Sequence, residues 1–406
     1  MPSAFRQASL PNGLTIIAEV DPAASTCAAG FFVRTGARDE TSSLMGVSHF
    51  LEHMMFKGTQ RMSADEINRA WDNMGARNNA YTSNELTCFY AHLLPERMDD
   101  GLDLLAHMLR PALRQSDFDT EKGVILEEIA MYADNPFWQV YEAVQEKHFG
   151  EHALSHRVLG TPDTITQMQR DDMLRYFEHR YSADNTTVAL AGNLNFEACV
   201  DRIAQATHSW NATRPVRDAA PPRVGGGRFE LRSEKVSRGY VLAMAQGPTV
   251  ADDRRISASL IAQILGSPEN SRLYWALIEP GIAEEAQASF EPHDGSGEFF
   301  VYASGEPTKI DQIWEAMHTQ MRVLRDTLTQ DDLDKLLPRF ITGAALGNER
   351  PHDRMHRLGR MWTYLRDYWP LEEELRKVSA VTLRDLRGCL DAFAFSPMTV
   401  GVLKPK

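Results

Sequence analysis

A chain of 406 residues, 43% hydrophobic and 24% charged, has the composition of a soluble globular protein with room for two or three domains. Its formal net charge of −13 excludes a general nucleic-acid binder, which needs a basic footprint, and no apolar run approaches the ~20 residues that span a bilayer. Four scattered cysteines, Cys27, Cys88, Cys199 and Cys389, form no C-x-x-C pair; they argue against a disulfide framework or a thiolate zinc site and for a reducing, cytoplasmic setting.

The N-terminal stretch lacks the basic and apolar segments of a signal peptide. It turns at Pro11-Asn12-Gly13 into two strand-like runs, GLTIIAEVD and TCAAGFFVRTG. The segment HFLEHMMFKGT, from His49 to Thr59, then sets two histidines and a glutamate in an otherwise apolar helix pattern. Ser63 to Glu66 reads as a capping box opening a helix, and NNAYTSNELTCFY alternates as one long strand. Further on, DFDTEKGVILEEIAMYAD is a helix with apolar positions at Val124, Ile125, Ile129 and Tyr132. His148, His152 and His156 recur every four residues, but Gly150 interrupts any helix there, so a loop is expected rather than a metal site.

The Pro- and Gly-rich stretch NATRPVRDAAPPRVGGGRF reads as a linker. Its Gly225–Gly227 run lacks the strand and Lys-Ser/Thr of a phosphate loop. The cut gives an N-terminal domain over 1–212, a linker over 213–228 and a C-terminal domain over 229–406. The two halves close alike, each with a short helix pattern (Met173 and Phe177; Leu386 and Leu390) followed by a Thr-Val strand, which suggests a duplicated domain. Strands and helices mixed without strict alternation predict an α+β architecture. In the second half, His352 and His356 are expected on a solvated or interface helix face, and Glu372–Glu374 in the first turn of a helix. Trp138, Trp362 and Trp369 read as packing residues.

Helical spacing puts His49, Glu52 and His53 on one face. Two imidazoles four residues apart can share one zinc ion, and Glu52 sits where a base would meet a water on that ion. A catalytic zinc takes three protein ligands, so a third must come from elsewhere. The acidic residues of the long apolar helix, Glu121, Glu127 and Glu128, are the candidates; Glu121 and Glu128 share a face, and Glu127 is rotated by about 100° from Glu128.

H-x-x-E-H followed about 75 residues later by a glutamate in EKGVILEEIAMYADNP resembles the pitrilysin-type zinc metallopeptidases, which include insulin-degrading enzyme and the mitochondrial processing peptidase. The likeness runs through LPNGLTIIAE, TGARDE, NNAYTSNELTCFY, VLGTPDTI and VSAVTLRDL, and is that of a half-length, bacterial processing-peptidase-like member. It implies that His49, His53 and Glu128 ligate one zinc ion per chain, that Glu52 is the general base toward the zinc-activated water, and that Glu121 supports the site. It implies an edge strand around Asn79, Ala80 and Thr82 on which a substrate peptide lies by β-addition. The fold implied is two related domains, each a mainly antiparallel sheet covered by helices, forming half of a clamshell that a second chain of the same fold closes around peptides or unfolded segments. The second domain is implied to lack the metal site. One departure stands out: where relatives carry an Arg and, seven residues on, a Tyr for substrate and oxyanion, the nearest positions in this chain are Ile278 and Glu284, six apart, while Arg272 and Tyr274 match the structural SRL segment. A partner chain supplying the pair favours a heterodimer over a homodimer. The acidic balance points to basic peptides, and the alternative to an endopeptidase is a non-catalytic scaffold subunit of the same fold.

Overall fold

In the computed structural model, which describes residues 4–406, the apolar runs become two separate sheets. Residues 1–3, which open the predicted first domain, lie outside the described residues. The strands are β1 (Ala4–Ser9), β2 (Thr15–Val20), β3 (Cys27–Val33), β4 (Arg77–Thr82), β5 (Thr87–Leu93), β6 (Thr186–Gly192), β7 (Gly227–Ser233), β8 (Gly239–Gln246), β9 (Glu285–His293), β10 (Ser296–Gly305) and β11 (Met398–Pro405). The helices of the first half are α1 (Val47–Met55), α2 (Ala64–Met74), α3 (Met98–Met108), α4 (Gln115–Ala133), α5 (Pro136–Phe149), α6 (Pro162–Gln167), α7 (Arg170–Arg180) and α8 (Phe196–Ala206). Those of the second are α9 (Arg255–Gly266), α10 (Ile310–Thr327), α11 (Gln330–Asn348), α12 (Pro351–Leu365), α13 (Leu371–Ser379) and α14 (Leu383–Ala392). None of the described helices is long and apolar enough to cross a membrane.

The first sheet runs β1-β2-β6-β3-β5-β4 and the second β7-β11-β8-β10-β9. In the first, β2 pairs parallel with β6, and β6-β3, β3-β5 and β5-β4 are antiparallel. In the second, β7 pairs parallel with β11, and β11-β8, β8-β10 and β10-β9 are antiparallel. The wiring is the same in both, with β1 as an addition to the first, so the architecture is α+β and internally repeated. Each sheet is covered on both faces, which is why the central strands read as unbroken apolar runs: every residue of β3 (CAAGFFV) and of β6 (TTVALAG) is buried.

In the first unit one face of the sheet packs against α1, α2, α3, α4, α7 and α8 through Phe50, Trp71, Leu102, Phe118, Met173 and Ile203. The other face is covered by α12 through Met355, Leu358 and Trp362. The second unit repeats this plan, with α9, α10 and α14 on one face and α5 on the other through Val140 and Val144. Glycine lets each covering helix lie close to its sheet. A Cβ on Gly30 would sit 2.4 Å from Met355 Sδ, and one on Gly401 would sit 2.5 Å from Val144 Cγ2.

The units are therefore not the two contiguous halves predicted from the linker. One comprises residues 1–129, 156–218 and 345–368, and the other residues 130–155, 219–344 and 369–406. The halves exchange their covering helices, α5 for α12, because each helix buries its apolar face on the sheet of the other half. The stretch around 211–226 has no regular secondary structure, but it is pinned rather than loose. Arg217 pairs with Asp39 at 2.6 Å, and the Asp218 carbonyl accepts from Arg38 at 2.8 Å.

Other expectations are refined locally. The long strand over NNAYTSNELTCFY is a hairpin: β4 and β5 pair antiparallel from Arg77↔His92 to Thr82↔Thr87, and Ser83 closes the turn on the Leu86 carbonyl. Glu85 sits in that turn because Arg38 meets its buried carboxylate at 2.6 Å. Val124, predicted apolar-facing on α4, is exposed, and the buried face of α4 is Phe118, Glu121, Ile125 and Ile129. His148 lies in the last turn of α5 rather than in a loop; its Nδ1 meets Thr399 Oγ1, while the His152 and His156 rings meet the carbonyls of Ala220 and Ala37. The three have separate partners. Glu372–Glu374 form the first turn of α13, as the charge pattern predicts.

Candidate metal centre

The helix that carries H-x-x-E-H is fixed at its start. Gly46 at φ 95° takes the left-handed turn before α1, and the orphan amides of Gly46 and Ser48 both donate to the buried Glu40 carboxylate at 2.7 Å. Burial pushes the Glu40 carboxyl up to about 8 against these two donors. From there Val47, Phe50, Leu51, Met54 and Met55 point into the core, which leaves His49, Glu52 and His53 on the remaining face.

The long helix α4 meets that face with two acids. Phe118, Ile125 and Ile129 hold α4 in the core, so Glu121 and Glu128 present toward α1. Glu121 Oε1 lies 2.8 Å from His53 Nδ1, and Lys57 Nζ lies 2.5 Å from Glu121 Oε2. Glu128 Oε2 is 3.8 Å from His49 Nε2 and 3.6 Å from His53 Nε2. Glu127 is exposed and outside the group. Among the described residues, His49, His53 and Glu128 form the one trio of His, Cys, Asp or Glu whose ligand atoms all lie within 4.8 Å of one another.

The donor set fits zinc. Two neutral imidazoles and a carboxylate form a three-ligand set with room for a fourth, and bonds of about 2.0–2.1 Å in a tetrahedral field set ligand atoms roughly 3.3 Å apart. Burial, with the neighbouring His53, lowers His49 to about 4 and so favours the ligating neutral form. Burial also opposes the charged form of His53, but the hydrogen bond and charge of Glu121, with Glu128 and Glu52, raise its proton affinity. The Glu121 carboxylate at Nδ1 places the ring proton there and leaves Nε2 to face Glu128. Burial works against the Glu121 charge, yet the hydrogen bonds of His53 and Lys57 keep its carboxyl below the usual range. Glu52 goes the other way: burial raises it, against the hydrogen bond from Thr82.

Of the edge-strand residues, Thr82 donates to Glu52 Oε2 at 2.6 Å and so stands at the metal face. Ala80 is buried against the core shared with α1, whereas Asn79 alternates to the other face and accepts from the Ala80 amide at 2.9 Å. Among the described residues β4 is one of the two edge strands of its sheet. Ile278 is half-buried, and Glu284 is exposed and paired with Arg238 at 2.9 Å. Arg272 binds Asp332 at 2.7 Å, the structural role its segment suggests. Sequence reasoning passed over Lys57 and Glu40. The first stands one helical turn beyond His53, a spacing that could have found it; the second reaches α1 from a loop, which leaves no periodic signal.

Comparison with known proteins adds the following. Residues 15–162 match the family model Insulinase (Peptidase family M16), and residues 167–337 match the model Peptidase M16 inactive domain. An uncharacterized zinc protease of Streptomyces coelicolor is 31% identical over 99% of this chain and 90% of its own length. The uncharacterized zinc protease YmxG of Bacillus subtilis is 29% identical over 93% of this chain and 92% of its own. Among solved structures, a protease from Helicobacter pylori superposes with a TM-score of 0.93 at 19% identity, covering all of both chains. A chain of Complex III2 from Candida albicans does so at 0.84 and 17% identity, covering 98% of this chain and 95% of that one.

Proposed function

We propose that this chain, which belongs to the insulinase (M16) family of peptidases, is a zinc-dependent endopeptidase that hydrolyses peptides or unfolded segments. The observation that carries the reading is the convergence of His49 Nε2, His53 Nε2 and Glu128 Oε2 on one point, with the His53 tautomer set by Glu121. When bound, one catalytic zinc ion per chain supplies a Lewis acid that polarises the scissile carbonyl and acidifies the attacking water. Glu52 is the general base. Thr82 holds its Oε2, which orients the carboxylate and leaves the other oxygen to take the water proton and pass it to the leaving amine. The raised proton affinity of Glu52 suits that transfer better than an ordinary surface carboxylate would.

The edge position of β4 supports substrate docking as an added strand, with main-chain hydrogen bonds holding the peptide beside Glu52. Ile278 and Glu284 offer neither a cation nor a phenol for the substrate and oxyanion. A second chain of the same fold, in a heterodimer rather than a homodimer, would supply that pair and close the chamber. The net charge of −13 favours basic peptides, and four free, buried cysteines suit a reducing cytoplasm.

The test is Glu52→Gln. We expect it to keep the zinc content of the native protein while cleavage of a quenched peptide library falls about 10²–10⁴-fold, the range for loss of a general base. Zinc is measured in the same sample as activity, together with any chain that co-purifies. Cleavage at the native rate by this variant would remove Glu52 as the general base, whereas no bound zinc and no cleavage by the native protein with its co-purifying chain would overturn the peptidase reading and leave the scaffold role.

A further inference from the structure

The face of the first sheet covered by α12 holds a second concentration of imidazoles, which sequence spacing assigned to a solvated or interface surface. The structure instead sets His352 and His356 inward, against β3, β4 and β5. The His356 ring lies 4.6 Å from Tyr90, 5.7 Å from Tyr81 and 6.0 Å from Phe32, and His352 lies 5.0 Å from Tyr90. The two Nε2 atoms are 3.2 Å apart. Asp353 Oδ1 is 3.0 Å from His352 Nδ1. That carboxylate draws the His352 proton to Nδ1 and leaves its Nε2 lone pair facing His356. Burial, with the adjacent His352, favours neutral imidazole at His356.

We propose that His352 and His356 form a second divalent transition-metal site, separate from the His49–His53–Glu128 centre. Two nitrogens bound at about 2.0–2.1 Å in a tetrahedral field sit roughly 3.3 Å apart, close to the observed 3.2 Å. Neutral nitrogen donors suit zinc, copper or nickel and not calcium or magnesium, which want oxygen. Water completes the sphere, because the His352 side chain remains 32% exposed. His92, whose ring stands 6.1 Å from that of His352, is engaged by its Nε2 with Thr26 Oγ1 at 2.8 Å and stays outside the sphere. The site sits on the opposite face of the sheet from α1, since neighbouring residues of β4 serve the two cores: Ala80 packs with α1 and Tyr81 with α12.

A bare N–H···N hydrogen bond between the rings would give the same separation, so the test counts ions. Metal-free full-length protein is dialysed against micromolar Zn2+ at neutral pH, and bound zinc per chain is measured. The wild type is expected to hold one ion more than His352→Asn/His356→Asn, and one more than His352→Gln alone, which keeps a hydrogen-bonding side chain. The readout is a difference between proteins, so it stands whether or not the His49 centre fills; His49→Asn reports on that centre separately. Thermal melts of the metal-free proteins, expected to coincide, tie a lost ion to lost ligands. Equal zinc counts in the wild type and either variant would overturn the proposal.

Discussion

At the scale of single residues, the chain Lys57–Glu121–His53 invites the sharpest test. Glu121 is only 3% exposed, so its charge persists because Lys57 stands at 2.5 Å on one oxygen and His53 at 2.8 Å on the other. Lys57→Met removes the cation and leaves the buried carboxylate with one partner. Its proton affinity should rise, and its grip on the His53 tautomer should loosen. Partners of this kind are worth about 10–100-fold in metal affinity. We therefore expect zinc affinity, measured by competition with a chromogenic chelator, to fall within that range while the fold is kept; unchanged affinity would make Lys57 a surface neighbour only. The same residues show how far the sequence could be read. His49, Glu52 and His53 follow from helical spacing because they share one turn. The partner acid does not: Glu121, Glu127 and Glu128 all lie on α4, and only the depth at which Phe118 and Ile125 bury that helix selects which carboxylate faces the histidines. His352 and His356 were legible as a spacing, but the aromatic wall they meet was not, because it comes from β3, β4 and β5, more than 250 residues away.

At the scale of elements, local signals served where they were complete. The Ser63–Glu66 capping box opens α2 as expected, with Ser63 and Glu66 exchanging their hydrogen bonds; the helix ends where Gly75 takes the left-handed turn at φ 63°. The β4–β5 hairpin escaped because alternation runs on through its turn, where Glu85 is held by an ion pair with the distant Arg38. Helix-on-sheet contacts are equally silent in a single strand of sequence. On α12, a Cβ at Gly359 would meet the Phe32 ring at 2.2 Å, so that ring packs directly on the helix backbone there. Gly359→Ala should force α12 off β3 and cost about 1–3 kcal/mol, the usual penalty of overpacking. The melting temperature should drop by several degrees, and Phe32→Leu in the same chain should recover part of the loss. Peptidase activity per folded molecule should hold, since α12 and α1 cover opposite faces of the sheet. Additive rather than compensating effects of the two substitutions would remove the steric explanation.

At the scale of the whole molecule, the duplication was legible in the matching closing segments because each ends in the strand, β6 or β11, that pairs parallel with the first strand of its repeat. The exchange of α5 and α12 was not legible. A helix pattern declares that it has an apolar face, not which sheet will cover it, and both helices lie where a contiguous reading keeps them at home. The exchange has a measurable consequence for cutting the chain at its linker. A fragment of residues 1–218 keeps the first sheet but loses α12, exposing the surface that buries Met355, Leu358 and Trp362. At about 1.5–3 kcal/mol for each such side chain, the loss is roughly 5–9 kcal/mol, comparable with the net stability of a typical domain. The same fragment carries α5 with Val140 and Val144 stripped of their sheet. We expect 1–218 alone, and 219–406 alone, to lack a cooperative thermal transition and to bind a dye for exposed apolar surface. Produced together, the two should restore both helices to their sheets and recover a cooperative melt. Two contiguous domains would behave oppositely, with 1–218 melting cooperatively by itself, and that single calorimetric trace would refute the exchange.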